Sequence, residues 1–278
     1  MLRTYSTFIY LFLYAPIALI VLFSFNSGNN ASSFQGFSVM WYGRAASNSL
    51  MTDALQNSLI VAATSATLAT VMGTMAALAL QRVKGPFRVL YDGLTYVAIM
   101  VPGIVIGIAT LIALVTTFGA INGVIAAVVN AIDPTLVAPR LSLGYASIIA
   151  AHTLFAMALV IVIVRARIAG MDRSLIEASM DLYADPWGTF RQVTLPQLMP
   201  AIVAGFLLCF TFSFDDFVIA FFVAGSKNTL PIYVFSSIRR GVTPEINAIG
   251  TTVMVFSLTM LMVAQVLLRR QARKPAAT

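Results

Sequence analysis

Two groups of carboxylates could do chemistry in this 278-residue chain, of which only 10% is charged. The first lies in the segment EASMDLYADPWGTFRQVTLP at 177–196, which carries three carboxylates and an arginine. The second is the adjacent pair Asp215 and Asp216, inside an apolar run. Carboxylates in such places cap helices, bind cations or contact partners, so both groups are candidate functional sites.

The elements that must position these residues are apolar runs. Hydrophobic residues make up 59% of the chain and the mean hydropathy is +0.91, which is more than a soluble domain buries. A membrane-spanning helix needs about 20 such residues. We therefore predict an all-α polytopic membrane protein with six transmembrane helices and one domain over residues 1–278. The spans are expected at about 8–25, 58–80, 94–118, 141–164, 201–224 and 246–268.

The positions of lysine and arginine predict the orientation, because cytoplasmic segments carry the positive excess. With both termini in the cytoplasm, the inner segments hold twelve of the 17 basic residues and the outer loops hold five. The net charge of +7 then reflects orientation and contact with anionic membrane lipid rather than binding to nucleic acid. The first run lacks a small-x-small cleavage pattern, so we expect it to remain as an anchor.

The inner segment 165–200 contains start signals for two short helices. The sequence S-x-x-E at Ser174–Glu177 has the form of a capping box. Asp185-Pro186 offers a second start, with an N-cap acceptor followed by a proline at the first helical position. We predict a turn between the two helices near Tyr183 to Asp185.

The same segment is predicted to present a docking surface. Pro196 and Pro200 are expected to close it before the fifth span. A merely solvated helical hairpin would leave Leu182, Trp187 and Phe190 without a partner to bury them. Their exposure favours contact with another protein.

Asp215 and Asp216 lie about 15 residues into the predicted fifth span, roughly 22 Å from its inner end. An aspartate in the middle of a transmembrane helix costs about 2.5 to 3.5 kcal/mol to insert, so it faces a cavity, a partner or a ligand. Adjacent residues differ by about 100° around a helix, so in an unbroken helix only one can face a solute path. The other would bond a packing partner or a backbone amide. We take both, with Phe214, as the candidate substrate path; the alternative is that both only bond neighbouring helices.

Several other activities lack the residues they need. There is no GxxxxGK[ST] loop, so we do not expect this chain to hydrolyse ATP. Cys209 and His152 are each the only residue of their type, so we expect no internal disulfide and no metal site. No Ser/His/Asp arrangement or carboxylate pair suits a membrane enzyme.

The segment 177–196 resembles the EAA loop of ABC-importer permeases. The positions that match are Glu177, Ala178, Ala184, Phe190, Leu195 and Pro196. Asp181, Asp185 and Trp187 belong to the same loop. The stretches LYAPIALIVLFSFNS, GFSVMWYG, AHTLFA, LCFTFSFDDFVIAFFVAG and GVTPEINAIGT resemble the spermidine/putrescine (polyamine) permeases of that superfamily. The resemblance therefore covers nearly the whole chain.

This resemblance implies a type I importer fold in the bacterial inner membrane and one permease subunit of an ATP-driven polyamine uptake system. The implied partners are a second related permease, two ATPase subunits and an extracytoplasmic solute-binding protein. ATP and Mg would be used by the ATPase, and no cofactor would be bound by this chain. The two short helices would fit a groove on the ATPase and transmit its closure to the spans.

Three positions depart from the family pattern. Ser179 replaces the second alanine of the motif, and Tyr183 stands where the turn usually has glycine. Tyr183 implies either a negative φ or a strained backbone. Gly103 follows Pro102 where polyamine permeases usually carry aspartate. An ABC importer for another small solute, such as an amino-acid derivative or a phosphonate, therefore stays an alternative, as does a secondary transporter driven by an ion gradient.

Overall fold

The computed structural model describes residues 2–29, 33–241 and 243–272, without the side chains of 2, 260, 261 and 263–272. In these ranges the chain is helical and forms no β-strand, apart from one isolated bridge between Asn26 and Phe37. The helices are α1 (Leu2–Ser24), α2 (Met40–Ser47), α3 (Ser49–Leu80), α4 (Pro86–Met100), α5 (Gly103–Ile132), α6 (Tyr145–Ala169), α7 (Ser174–Asp181), α8 (Pro186–Thr189), α9 (Leu195–Asp215), α10 (Val218–Val223), α11 (Leu230–Arg240) and α12 (Pro244–Ala272). A π-helical segment, Phe190–Thr194, joins α8 to α9.

Five helices among the described residues are long and apolar enough to cross a membrane, which confirms the predicted fold class. They are α1, α3, α5, α6 and the continuous helical run Pro186–Asp215. The sixth predicted span, 246–268, lies within α12, where most side chains from residue 260 onward are outside the described set. The count of six spans and the cytoplasmic termini therefore stay predictions.

The predicted third span, 94–118, is wrong as a single helix. The chain breaks between α4 and α5, where Val101 is extended with ψ 130°. Pro102 explains this break, because proline has no amide hydrogen and its ring disfavours helical geometry in the residue before it. Helix α5 then continues to Ile132, so most of the segment 119–140, which lies between the predicted third and fourth spans, is helical.

The predicted fifth span, 201–224, is wrong at both ends. The helical run begins at Pro186, so Pro196 and Pro200 lie inside it and do not close a loop. Pro196 lies just after the π-helical segment, at whose end the Leu195 amide donates to the Phe190 carbonyl five residues earlier. At the other end α9 stops at Asp215, because Asp216 is extended with ψ 118°.

The chain divides into two compact units, each with its own packing. The first consists of Met1–Gln56 and Asn228–Gln265. In it, the buried Trp41 donates from Nε1 to the Asn26 carbonyl at 2.8 Å. Asn48 Nδ2 lies 3.0 Å from both Tyr233 Oη and Glu245 Oε1, so it joins the start of α3 to α11 and α12. The prediction of one domain over the whole chain stays a prediction.

The second unit, Asn57–Lys227 with the end of the chain from Val266, is built around α6. Val160 of α6 is fully buried. A Cβ placed on Gly73 of α3 would lie 2.7 Å from Val160 Cβ and 3.0 Å from the Met157 carbonyl, so only glycine permits this approach. On the other side, a Cβ on Gly205 of α9 would lie 3.6 Å from Val160 Cγ2. Small residues thus let α3 and α9 pack closely on α6, and α9 carries the acidic pair.

Candidate functional site

The predicted coupling loop, residues 165–200, contains the short helices α7 and α8. The Asp185 side chain accepts from the amides of Trp187 and Gly188, both at 3.2 Å. Pro186 occupies the first turn of α8. The sequence-based prediction of an N-cap at Asp185 is therefore confirmed.

The predicted capping box at Ser174 is wrong. Helix α7 does begin at Ser174, but its N-cap residue is Arg173 and no side chain caps it. Instead the Asp172 carboxylate accepts the Ser174 amide at 2.9 Å, and hydrogen bonds from Ser174 lower the pKa of Asp172. Asp172 takes the amide at the start of the helix, so Ser174 becomes a helical residue. Glu177 lies in the first turn, where the helix dipole favours a carboxylate.

The turn after α7 is a Schellman motif with Tyr183 in the left-handed position. The Ala184 amide donates to the Ser179 carbonyl at 3.1 Å, and the Tyr183 amide donates to the Met180 carbonyl at 2.9 Å. Tyr183 has φ 59°, the one positive φ outside glycine among the described residues. Of the two conformations that the sequence left open, Tyr183 adopts the strained one. This left-handed conformation costs about 1–2 kcal/mol for a residue with a Cβ.

The loop exposes large apolar side chains. Leu182 is 82% exposed, Tyr183 97% and Trp187 67%. The Trp187 ring stacks on Phe190 with centroids 5.6 Å apart, and the Ser179 and Thr189 hydroxyls lie 3.0 Å apart. These contacts hold α7, α8 and the π-helical segment together. The remaining predicted residues are exposed (Glu177, Ala178, Asp181, Asp185, Pro196) or half-buried (Ala184, Leu195).

Sequence reasoning missed the C-terminal end of α3, which lies beside this loop. A groove of about 600 Å³ is lined by Leu78 and Arg82 at that end, and by Met180, Phe190 and Thr194 of the loop. In the sequence, the one sign that this helix end could be functional was Arg82, a basic residue just after the apolar run of α3. The coupling loop therefore lies against the C-terminal end of α3, and the two together form the groove.

Sequence reasoning also missed the contacts that hold the end of α6, from which the coupling loop emerges. Arg165 Nη1 donates to Asp92 Oδ1 of α4, and Arg88 Nε lies 3.9 Å from Asp92 Oδ2. The hydrogen bond from Arg165 lowers the pKa of Asp92 from its ordinary value. Arg167 Nε donates to the Gln197 carbonyl at 2.8 Å. The end of α6 is therefore tied to both α4 and α9.

The acidic pair lies at a break between two helices. Asp215 is the last residue of α9 and is exposed, whereas Asp216 is half-buried and its Oδ2 accepts the Ala220 amide of α10 at 3.0 Å. Phe214 is buried, and its ring stacks on Phe210 with centroids 6.0 Å apart. Because the helix is broken at this point, the separation of about 100° expected for adjacent residues of an unbroken helix does not apply to the two carboxylates. Asp216 is the carboxylate that bonds a backbone amide.

The break after α9 lies beside the start of α5. A Cβ placed on Gly103 would lie 3.9 Å from Val218 Cβ. A Cβ on Gly107 would lie 2.8 Å from Phe222 Cδ2 and 3.4 Å from Ile219 Cα, so Gly107 allows α5 to pack against α10. Gly103 departs from the family pattern in the sequence, but only the fold brings it next to the segment after the acidic pair.

A polytopic helical chain with an exposed two-helix loop and carboxylates at a break inside its apolar region has the architecture of a membrane transport permease. The chain belongs to the family of binding-protein-dependent transport system inner membrane components, whose profile matches residues 69–276. It is therefore an inner-membrane component of a transport system.

Relatives and solved structures agree with this assignment. The chain is 34% identical over 270 residues to the spermidine/putrescine transport system permease protein PotC of Escherichia coli strain K12, covering 97% of this chain and 94% of PotC. It is 40% identical over 247 residues to the putrescine transport system permease protein PotI of the same strain, covering 87% and 82%. A bacterial alginate ABC transporter, crystallised in complex with an alginate pentasaccharide-bound periplasmic protein, matches with a TM-score of 0.71 at 16% identity, covering 98% and 94%. That likeness shows the importer permease fold.

Proposed function

We propose that this chain is the permease subunit of an ATP-driven uptake system for polyamines such as spermidine or putrescine. The observation that carries the proposal is the similarity, over nearly the whole chain, to permeases named for these two solutes. A polyamine is a flexible chain of ammonium groups. Its entry into a membrane path needs carboxylates that offset the lost hydration of those charges.

The proposed partners are a second related permease, two ATPase subunits and an extracytoplasmic solute-binding protein. The exposed apolar residues of α7, α8 and the intervening turn support docking to the ATPase, which would use ATP and Mg. In the most apolar stretch of α1 no residue is buried within this chain, and in that of α5 only 6% are buried. These helices are available to lipid and to the second permease.

Asp215 is the proposed contact for the cationic solute. It is exposed at the break and makes no hydrogen bond or ion pair within the described part of the chain. Two charges 4 Å apart attract by about 1 kcal/mol in bulk water and by about 4 kcal/mol at an effective dielectric constant of 20. Phe214, packed in the core, would fix the end of α9 from which Asp215 projects.

One observation favours a second candidate solute class. Gly103, beside Val218, supplies no carboxylate where polyamine permeases usually carry one. An importer for another small organic solute, such as an amino-acid derivative or a phosphonate, would not need that charge. The coupling loop and its ATPase would be the same.

A two-stage experiment tests the proposal. The cognate solute-binding protein is first screened by thermal melting against spermidine, putrescine, amino-acid derivatives and phosphonates. Labelled solute is then offered to proteoliposomes that hold the whole complex, with or without ATP. A melting shift only with polyamines and uptake only with ATP are expected. A shift with another class would replace the polyamine assignment, and uptake driven by a sodium or proton gradient alone would favour a secondary transporter.

The role of Asp215 is tested by Asp215→Asn in the same vesicles. Asn is nearly isosteric with Asp, so the complex should assemble while the half-saturation concentration of polyamine rises at least about fivefold, the equivalent of about 1 kcal/mol. Asp53→Asn, at an exposed aspartate near the start of α3, is the matched control and should leave uptake unchanged. Parental uptake by Asp215→Asn would exclude this carboxylate from the path of a cation.

A further inference from the structure

A chain of polar contacts crosses the apolar core of the second unit and ends at the acidic break. Ser65 Oγ of α3 lies 2.9 Å from Ser213 Oγ of α9. Ser213 Oγ lies 2.7 Å from His152 Nδ1 of α6. His152 Nε2 in turn lies 3.3 Å from Asp216 Oδ2. Ser65, Ser213 and His152 are all buried.

The position of the hydrogen in each of these contacts can be assigned by starting from the Ser65 hydroxyl. Ser65 Oγ lies 2.6 Å from the Val61 carbonyl, which can only accept, so the Ser65 hydroxyl donates there. Ser65 Oγ must then accept from the Ser213 hydroxyl. With its single hydrogen used in this way, Ser213 must accept from His152 Nδ1. His152 therefore carries a hydrogen on Nδ1.

The other ring nitrogen, Nε2, then faces a carboxylate. If the ring were neutral, an unprotonated Nε2 would lie 3.3 Å from Asp216 Oδ2, and two acceptors would be close together without a hydrogen between them. Nε2 is buried and has no hydrogen bond of regular geometry, although Asp216 is within ion-pair distance. A cavity of about 30 Å³ beside the pair is lined mostly by apolar or aromatic side chains such as Phe155, Phe212 and Ile219. Among the residues that line this cavity, His152 is the one that can carry a positive charge.

The additional proton belongs on the histidine. Asp216 Oδ2 also accepts the Ala220 amide, which suits a carboxylate oxygen better than the hydroxyl oxygen of a protonated acid. We infer that His152 is an imidazolium that forms an ion pair with the half-buried Asp216 and so acts as the positioning residue of the break between α9 and α10. The pair is neutral overall, so Asp215 is the one uncompensated carboxylate of the acidic pair.

This inference goes beyond the proposed function, because it concerns the protonation of the chain's own residues and does not depend on the solute. It also explains why the two adjacent aspartates differ. Asp216 is held between α6 and the first turn of α10, whereas Asp215 remains exposed. The ion pair ties the end of α9 to the central helix of this unit.

Nitrogen NMR tests the inference directly, because the chain contains one histidine. The chain is labelled with ¹⁵N-histidine, assembled with unlabelled partner subunits, reconstituted in lipid and measured at pH 8 without solute. A histidine with an ordinary pKa near 6.5 is about 3% charged at that pH, so it shows one unprotonated nitrogen. We expect both nitrogens of His152 to be protonated. An unprotonated nitrogen in the parent would overturn the inference.

Two variants identify the counterion. In Asp216→Asn the amide can donate to Nε2, so the ring should become neutral and one unprotonated nitrogen should appear. In the matched control Asp215→Asn, both nitrogens should stay protonated. An imidazolium that persists in Asp216→Asn, or that is lost in Asp215→Asn, would refute the pairing. Because no solute is present, this result is independent of the test of polyamine uptake.

Discussion

Replacing Asp185 by alanine tests whether the start of α8 orders the coupling loop. The Asp185 carboxylate satisfies the amides of Trp187 and Gly188, which have no carbonyl partner within the helix. Removing an N-cap of this kind costs about 1 kcal/mol, which corresponds to about a fivefold shift between the ordered and frayed forms of α8. The contact between Thr189 and Ser179 depends on the ordered form.

Hydrogen exchange and affinity for the ATPase measure this shift. In Asp185→Ala, the amides of Trp187 and Gly188 should exchange about fivefold faster, and the ATPase should bind more weakly because its docking surface is less often formed. Asp185→Asn is the matched control, since asparagine caps as well as aspartate but carries no charge. It should exchange like the parent.

Two results would refute this reasoning. Parental exchange in Asp185→Ala would mean that the cap does not order α8. Equally fast exchange in the Asn and Ala variants would mean that the charge matters rather than the acceptor. Normal exchange with weak ATPase binding in Asp185→Asn would instead place the charge itself in contact with the ATPase.

Three further predictions concern the same loop and its orientation. Glu177→Lys should abolish uptake with the ATPase weakly bound or uncoupled, and normal uptake with normal ATPase recovery would contradict this. With Cys209 replaced, a cysteine at Ser174 should resist a membrane-impermeant thiol reagent in intact spheroplasts and one at Ser226 should react; the opposite pattern would reverse the topology. Tyr183→Gly should slow exchange of the amide after it by removing about 1 kcal/mol of strain, whereas Tyr183→Ala, which keeps the Cβ, should not.

The features that sequence reasoning predicted correctly are those set by local chemistry. Apolar runs of membrane-spanning length predicted an all-α polytopic fold, because hydrocarbon accepts only backbone whose hydrogen bonds are satisfied within the segment. Asp185 followed by proline predicted a helix start, since an acceptor and a residue without an amide both suit that position. The prediction at Ser174 failed because Asp172, two residues earlier, competes for the same amide.

The predictions of unbroken spans failed because hydropathy reports how apolar a segment is and not whether its backbone stays helical. The runs at 94–118 and 201–224 carry no charged residue apart from the acidic pair, yet both are interrupted. A side chain that bonds an amide further along, as Asp216 does with Ala220, ends a helix without changing its composition.

The sequence by itself determined the class of fold, the membrane setting and the presence of a loop rich in charge and exposed apolar residues, because composition and short spacing carry that information. Only the tertiary structure decided which residues meet across helices. Asp92 and Arg165 are separated by 73 positions and His152 and Ser213 by 61, so no local pattern could pair them. The close approach of α3, α6 and α9 at glycine positions brings Ser65, Ser213 and His152 together. That packing distinguishes two adjacent aspartates that the sequence left equivalent.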